Sequence, residues 1–270
     1  MAADENTSAP GPTHVEVPPA SPPPELRELT TENVKAALRK GFEDFRAAPK
    51  FGLFFGTAYV VCGYLLWILA SSIGNSGLLV PLAFVFPLLG PFVAIGLYEV
   101  SRRLETGEPL EWGPILRAPI AKKDGQIPFM GVVVLFMALV WIVLSRITFA
   151  IFMGAQHGVT NVFSSTQILY SIEGMAMTFF VGVVGFAVAA LVFAITVVGM
   201  PLLLDRDLDV VTAMITSFEA VTENLQAMLL WAAIVVGLLV VGMLPAFLGL
   251  IVVLPVLGHG TWHLYRATVS

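Results

Sequence analysis

The sequence predicts an all-α fold: a polytopic helical membrane protein with six transmembrane helices. Three observations carry that expectation. The chain of 270 residues is 57% hydrophobic and only 12% charged, where soluble domains carry about 25% charged residues. Its apolar residues gather in six stretches, each close to the ~20 residues that a membrane-crossing helix needs. Cys62 is the one cysteine, so neither an intrachain disulfide nor a cysteine zinc site is available to staple a small soluble fold. This composition excludes an ordinary water-soluble globule, and a net charge of −5 argues against nucleic acid as a partner.

Residues 1–24 are Pro-rich, polar and without periodicity. Such a tail buries too little apolar surface to offset the entropy of ordering, so it is expected to be disordered. Asp4 and Glu5 stand where a secretory signal would be basic, and no apolar run follows them. The first span is therefore expected to act as its own insertion signal.

Over 25–49 the pattern becomes helical. Val34, Ala37, Leu38, Gly41, Phe42 and Phe45 share one face, opposite Glu32, Lys35, Arg39, Glu43 and Arg46. Glu32 with Lys35 and Arg39 with Glu43 have pairing spacings, and Pro49 is expected to end the helix. The helix either lies in the lipid interface or docks a partner, or it packs under its own bundle.

The membrane domain, 50–270, is expected to hold spans near 51–70, 78–98, 128–150, 175–200, 227–244 and 245–265. The second contains Pro81, Pro87 and Pro91. The last two meet at Met243, Leu244 and Pro245, a join too tight to separate a hairpin from one kinked or re-entrant element.

Orientation follows from the basic residues of the short loops. Arg27, Lys35, Arg39, Lys40, Arg46 and Lys50 precede the first span; Arg102, Arg103, Arg117, Lys122 and Lys123 follow the second; Arg206 follows the fourth, and Arg266 is in the tail. Apart from Arg146, all fall on one side. An even number of spans agrees, so both termini are expected to be cytoplasmic.

An internal repeat is also legible. Residues 33–45 align without gaps on 209–221, matching Val34 with Val210, Ala37 with Ala213, Phe42 with Phe218 and Glu43 with Glu219. The hairpins that follow end alike, VFPLLG at 85–90 and VLPVLG at 253–258. The unit reads as an amphipathic helix plus a helical hairpin, repeated in parallel. Residues 111–205, with Trp112, Ile115 and Leu116, suit a third, degenerate copy.

Candidate functional residues are few. His259 and His263 stand four apart, on one face of the sixth span. They admit a metal or haem site, or a structural role with His259 bonded to a neighbouring helix. Trp262, His263, Tyr265 and Arg266 read as an interfacial belt. Arg146 and Glu173 lie near the same outer hairpin, where they would pair or anchor to headgroups. Glu99, Arg102, Arg103 and Glu105 follow span two; the arginines would anchor it and attract anionic lipid. Asp205, Arg206 and Asp207 open a D-x-D-x-D run that lacks the later Gly and Glu of a calcium loop. Its plain role is capping by Asp207 or Asp209. Gly52 and Gly56 form G-x-x-x-G, which suits close helix approach.

GFEDFRAAPKFGLFFG, PLLGPFVAIGLYEVSRRLE, PLLLDRDLDVVTAMITS and LPVLGHGTWHLYR together resemble the bacterial family named domain of unknown function 2189, from about 36 to 266. The resemblance implies a multi-span protein of the bacterial inner membrane. It supplies no catalytic residue and no cofactor.

No mid-span carboxylate is present to carry a coupled proton, and no nucleophile elbow, zinc-protease motif or phosphate loop occurs. The expectation is a non-enzymatic scaffold or accessory subunit with no cofactor, in contact with the lipid bilayer and with a membrane-protein partner or a second copy. Two alternatives stand beside it. A facilitative small-solute transporter or channel-like protein would carry a wet cavity at Pro87 and Pro255. A haem- or metal-binding membrane protein would rest on His259 and His263.

Overall fold

The computed structural model describes residues 24–72, 79–120, 125–153 and 171–270. The Pro-rich tail, His14 and His157 lie outside the described residues, as does nearly all of the outer loop between spans three and four. Among the described residues the protein is helical, with one isolated bridge, Leu26 to Val269.

Among the described residues, ten α-helices follow in order. They are α1 (Thr31–Ala47), α2 (Pro49–Ser72), α3 (Leu79–Thr106), α4 (Trp112–Arg117), α5 (Gln126–Met153), α6 (Ile172–Thr196), α7 (Gly199–Asp205), α8 (Val210–Glu223), α9 (Leu225–Met243) and α10 (Leu250–Thr268). Among the described residues, four stretches are long and apolar enough to cross a membrane: Pro49–Leu69, Gln126–Phe152, Ile172–Asp205 and Leu225–Met243. The other two expected spans, near 78–98 and 245–265, correspond to α3 and α10, which are not among the four. The last half of α10 is too polar to count, with His259, Thr261, His263 and Arg266.

Helix α1 starts with reciprocal capping. The Thr30 hydroxyl accepts from the Asn33 N–H at 3.3 Å, and the Asn33 side chain accepts from the Thr30 N–H at 2.9 Å. Pro49 does not follow the helix as a terminator alone; it is the first residue of α2, where its missing N–H costs nothing. The buried stripe of α1 is Val34, Ala37 and Gly41. Phe42, expected on that face, is 47% exposed. The expected pairs form: Lys35 to Glu32 at 2.8 Å and Arg39 to Glu43 at 3.7 Å.

Helix α1 lies directly against α10. A Cβ at Gly41 would fall 2.5 Å from the Gly260 backbone nitrogen and 2.6 Å from the Val256 carbonyl. Only two glycines let the backbones approach that closely. Gly52 and Gly56 also face α10, against Pro255 and the Ile251 carbonyl, so the G-x-x-x-G motif serves packing within the chain. Pro255 is buried there.

Two breaks are repaired by side chains. Between α6 and α7, Ser217 of α8 accepts from the Val198 N–H at 3.1 Å and donates to the Ala194 carbonyl at 2.7 Å. Buried backbone groups freed by a break need such partners in an apolar interior. At the α8–α9 corner, Asn224 accepts from the Leu29 N–H at 2.6 Å and donates to the Ala220 carbonyl at 3.1 Å. That bond ties the segment before α1 to the far end of the sequence.

Helices α9 and α10 form a hairpin, which answers the open question at their join. The reversal places Ala246 and Phe247 at φ 49° and 65°, the left-handed region. Gly242 and Gly249 meet backbone to backbone across it.

Pairs of long helices, α2 with α3, α5 with α6 and α9 with α10, are each preceded by shorter ones. Helix α1 packs on α10, α4 on α3, and α8 on α6 and α7. Helices α3, α7 and α10 also touch one another. Aligned residues have matching environments: Val34 and Val210 are buried, Ala37 and Ala213 are buried, and Phe42 and Phe218 are exposed.

Gly41→Leu should force α1 off α10 and cost about 1–3 kcal/mol, the usual cost of overpacking, read as a lower thermal midpoint in detergent. Gly182→Ala, where a Cβ meets nothing within 4 Å, should leave the midpoint unchanged.

Candidate functional site

The polar side chains gather at one end of the bundle, where α1, α3, α10 and the turn after α7 meet. Their positions follow from helix register. The buried stripe of α1 at 34, 37 and 41 continues through Asp44 to Ala48, so a carboxylate points inward. Ser101 sits fully buried on α3, and His259 fully buried on α10.

Asp44 Oδ2 lies 2.7 Å from Ser101 Oγ and 2.7 Å from His263 Nε2. Ser101 Oγ also lies 2.8 Å from His259 Nδ1. A serine hydroxyl has one proton. Given to the Asp44 carboxylate, it leaves the serine oxygen as acceptor for His259 Nδ1–H. His263 Nε2–H donates to the same carboxylate. The chain of donors thus runs from His259 through Ser101 to Asp44, with His263 entering from the other side. His259 Nε2 is buried without a hydrogen-bond partner.

Burial alone would push the Asp44 carboxyl up. The hydrogen bonds from His263 and Ser101, with the two imidazoles nearby, outweigh it and hold the carboxyl below its ordinary value. This network places His259 on a neighbouring helix, one of the alternatives the sequence left open. Ser101 itself is too buried to meet a substrate, and its proton goes to the carboxylate rather than to histidine, so the trio is not arranged as a nucleophilic triad.

A second set of bonds surrounds the first. Trp262 Nε1 donates to Glu105 at 3.1 Å, and Arg266 Nε donates to Glu105 at 3.1 Å. The Tyr265 hydroxyl donates to Asp205 at 2.6 Å, and Arg266 reaches the same carboxylate at 3.5 Å. Trp262 and Tyr265 are each 1% exposed. This corrects the expected interfacial belt: both rings are packed inside and bond to acids on other helices.

Glu99 is 6% exposed and accepts from Arg102 Nε at 2.9 Å and from Arg103 Nε at 2.6 Å. Arg102 also donates to Glu108 at 2.9 Å. The two arginines expected to attract lipid are therefore engaged by the chain's own acids. Arg206 donates to the Ser270 carbonyl. Asp209, not Asp207, caps α8, accepting from the Thr212 N–H at 2.9 Å. Asp207 is exposed beside it. Arg146 on α5 and Glu173 on α6 are both exposed and do not pair with each other.

A cleft of about 430 Å³ opens over the network, lined by Lys40, Glu43, Asp44, Glu105, His263 and Arg266. Among the described residues no group of three or more His, Cys, Asp or Glu side chains is placed to hold a metal ion. His259 and His263 each have one nitrogen engaged by the chain.

Asp44 and Ser101 were not singled out from the sequence. The signal for Asp44 was its register on the apolar stripe of α1, where a charged residue calls for a buried partner. Ser101 offered none, because a serine after an apolar helix is commonplace.

These features define a helical integral membrane protein. Residues 79–205 match the family described as predicted integral membrane protein (DUF2189), and the resemblance seen in the sequence holds over that stretch. No curated protein and no solved structure matches the chain.

Because folding lowers the Asp44 pKa, its contribution is fully present above the unfolded value, near pH 4. It is lost as pH falls through the lower, folded value. The thermal midpoint of the wild type should drop across that acid range, and Asp44→Asn should flatten this limb while lowering the midpoint at neutral pH.

Proposed function

We propose that this chain is a non-enzymatic scaffold or accessory subunit of the bacterial inner membrane, crossing it six times with both termini cytoplasmic. The observation that supports this reading is the way α1 is held. A backbone contact at Gly41 and the partly buried Asp44 carboxylate fix α1 to α10, yet Glu32, Lys35, Arg39 and Glu43 stay exposed on its outer face. A rigid charged helix beside both described chain ends suits a protein partner. A gate would need a looser hold.

The remaining parts of the proposal have their own support. Helices α3 and α10 pack along α2, as the second and sixth spans would. Among the described residues, Lys40 of α1, Arg102 and Arg103 of α3 and Arg266 of α10 gather at the polar end of the bundle, as the positive-inside rule asks of a cytoplasmic face. The cyclic packing of short on long helices, with matched burial at Val34 and Val210, Ala37 and Ala213, Phe42 and Phe218, supports a parallel repeat in three units.

A second reading has one observation in its favour. The cleft of about 430 Å³ is lined by Lys40, Glu43, Asp44, Glu105, His263 and Arg266, a polar lining that suits a facilitative route for a small solute. Isolation from native membranes in mild detergent separates the two. The scaffold reading expects a stoichiometric protein partner that is lost on Lys35→Glu with Arg39→Glu, with the thermal midpoint unchanged. A lone protein that carries solute across liposome membranes overturns it. A fluorescent reporter fused after Ser270 should light up in the cytoplasm.

A further inference from the structure

At the junction of α1, α2 and α4, two cations stand beside an aromatic cluster. The Arg46 guanidinium lies over the Phe42 ring, 5.9 Å from its centroid. Lys50 Nζ lies 4.9 Å from the centroid of Phe51. Trp112, the first residue of α4, packs on Phe51 at 4.3 Å and on Phe54 at 5.0 Å. Phe51 is fully buried beneath Trp112 and Lys50, whereas Phe42, Phe54 and Trp112 are 47%, 45% and 38% exposed.

Charge and depth together set these cations apart, since Arg27, Lys40, Arg117 and Arg146 also form no ion pair among the described residues. Lys35, Arg39, Arg102, Arg103 and Arg266 each pair with an acid. Among the described residues, Arg46 and Lys50 form no ion pair. Their depth is also distinctive. Lys50 is the second residue of the apolar stretch Pro49–Leu69, and exposed Leu53 and Phe54 follow within about one helical turn, ~5 Å along the axis. An apolar surface one turn from unpaired cations, with an exposed tryptophan level with them, matches the boundary between acyl chains and headgroups.

We propose that Arg46, Lys50 and Trp112 form a site for the headgroup of an anionic phospholipid. The two cations flank the phosphodiester, Trp112 lies at the glycerol level, and Phe54 and Leu53 meet the acyl chains. The site takes the role that the sequence assigned to Arg102 and Arg103, because Glu99 and Glu108 neutralise that pair. It holds whether or not a protein partner docks on α1.

The test is native mass spectrometry of the full chain in neutral detergent, titrated with phosphatidylglycerol and with phosphatidylcholine. The wild type should retain phosphatidylglycerol preferentially. Arg46→Gln with Lys50→Gln should weaken that retention on the order of tenfold or more, from the loss of two basic residues at an anionic headgroup. Lys35→Gln with Arg39→Gln removes the same charge elsewhere on α1 and should retain the lipid, as should Arg46→Lys. Equal losses in the two double variants would show diffuse attraction and overturn the site. So would equal binding of phosphatidylcholine, or inorganic phosphate that binds alone and displaces the lipid. A stoichiometric protein released by Arg46→Gln with Lys50→Gln, in place of lipid, would overturn it as well.

Discussion

The close contact of α1 with α10 is the constraint on which the polar end of this protein depends. Gly41 and Gly260 bring two backbones together, and that approach carries Asp44 to within hydrogen-bond reach of Ser101 and His263. Neither part stands without the other. A side chain at Gly41 would collide with the α10 backbone and move the carboxylate away, and a partly buried carboxylate without partners would weaken the hold on the helix. The contact also sets the cleft, whose lining comes from α1, α3 and α10.

The same end shows how a membrane protein uses its few charges. Glu99, Glu105, Glu108 and Asp205 engage Arg102, Arg103 and Arg266, and the indole and phenol of Trp262 and Tyr265 take up remaining acceptor capacity. Helix breaks are treated alike: Ser217 and Asn224 satisfy backbone groups that a regular helix would have paired. An apolar surround leaves no water to do so. Outside these pairings, Arg46 ends α1 and Lys50 opens the apolar helix α2, both exposed.

Much of the architecture was legible. Long apolar runs showed the helices, and their boundaries differ from the described ones by a few residues. The pairs on α1 and the capping by Asp209 were legible because both act over three or four residues. Local spacing failed where a side chain had two plausible faces. Phe42 was assigned inward from an apolar stripe that proved narrower, and Trp262 and Tyr265 were assigned to an interface although α10 is surrounded by other helices there. Arg146 and Glu173, placed near one hairpin by the sequence, form no ion pair with each other.

By itself the sequence determined the class: hydropathy over runs of about twenty residues is a sum of transfer energies and needs no knowledge of neighbours. It also determined the amphipathic helices, since their period follows from helix geometry. Only the tertiary structure decided which polar residues meet. Asp44, Ser101, His259 and Glu105 come from three helices far apart in the chain, and a hydrogen bond depends on positions within a few tenths of an ångström. That precision comes from packing, here from two glycines that let α1 rest on α10.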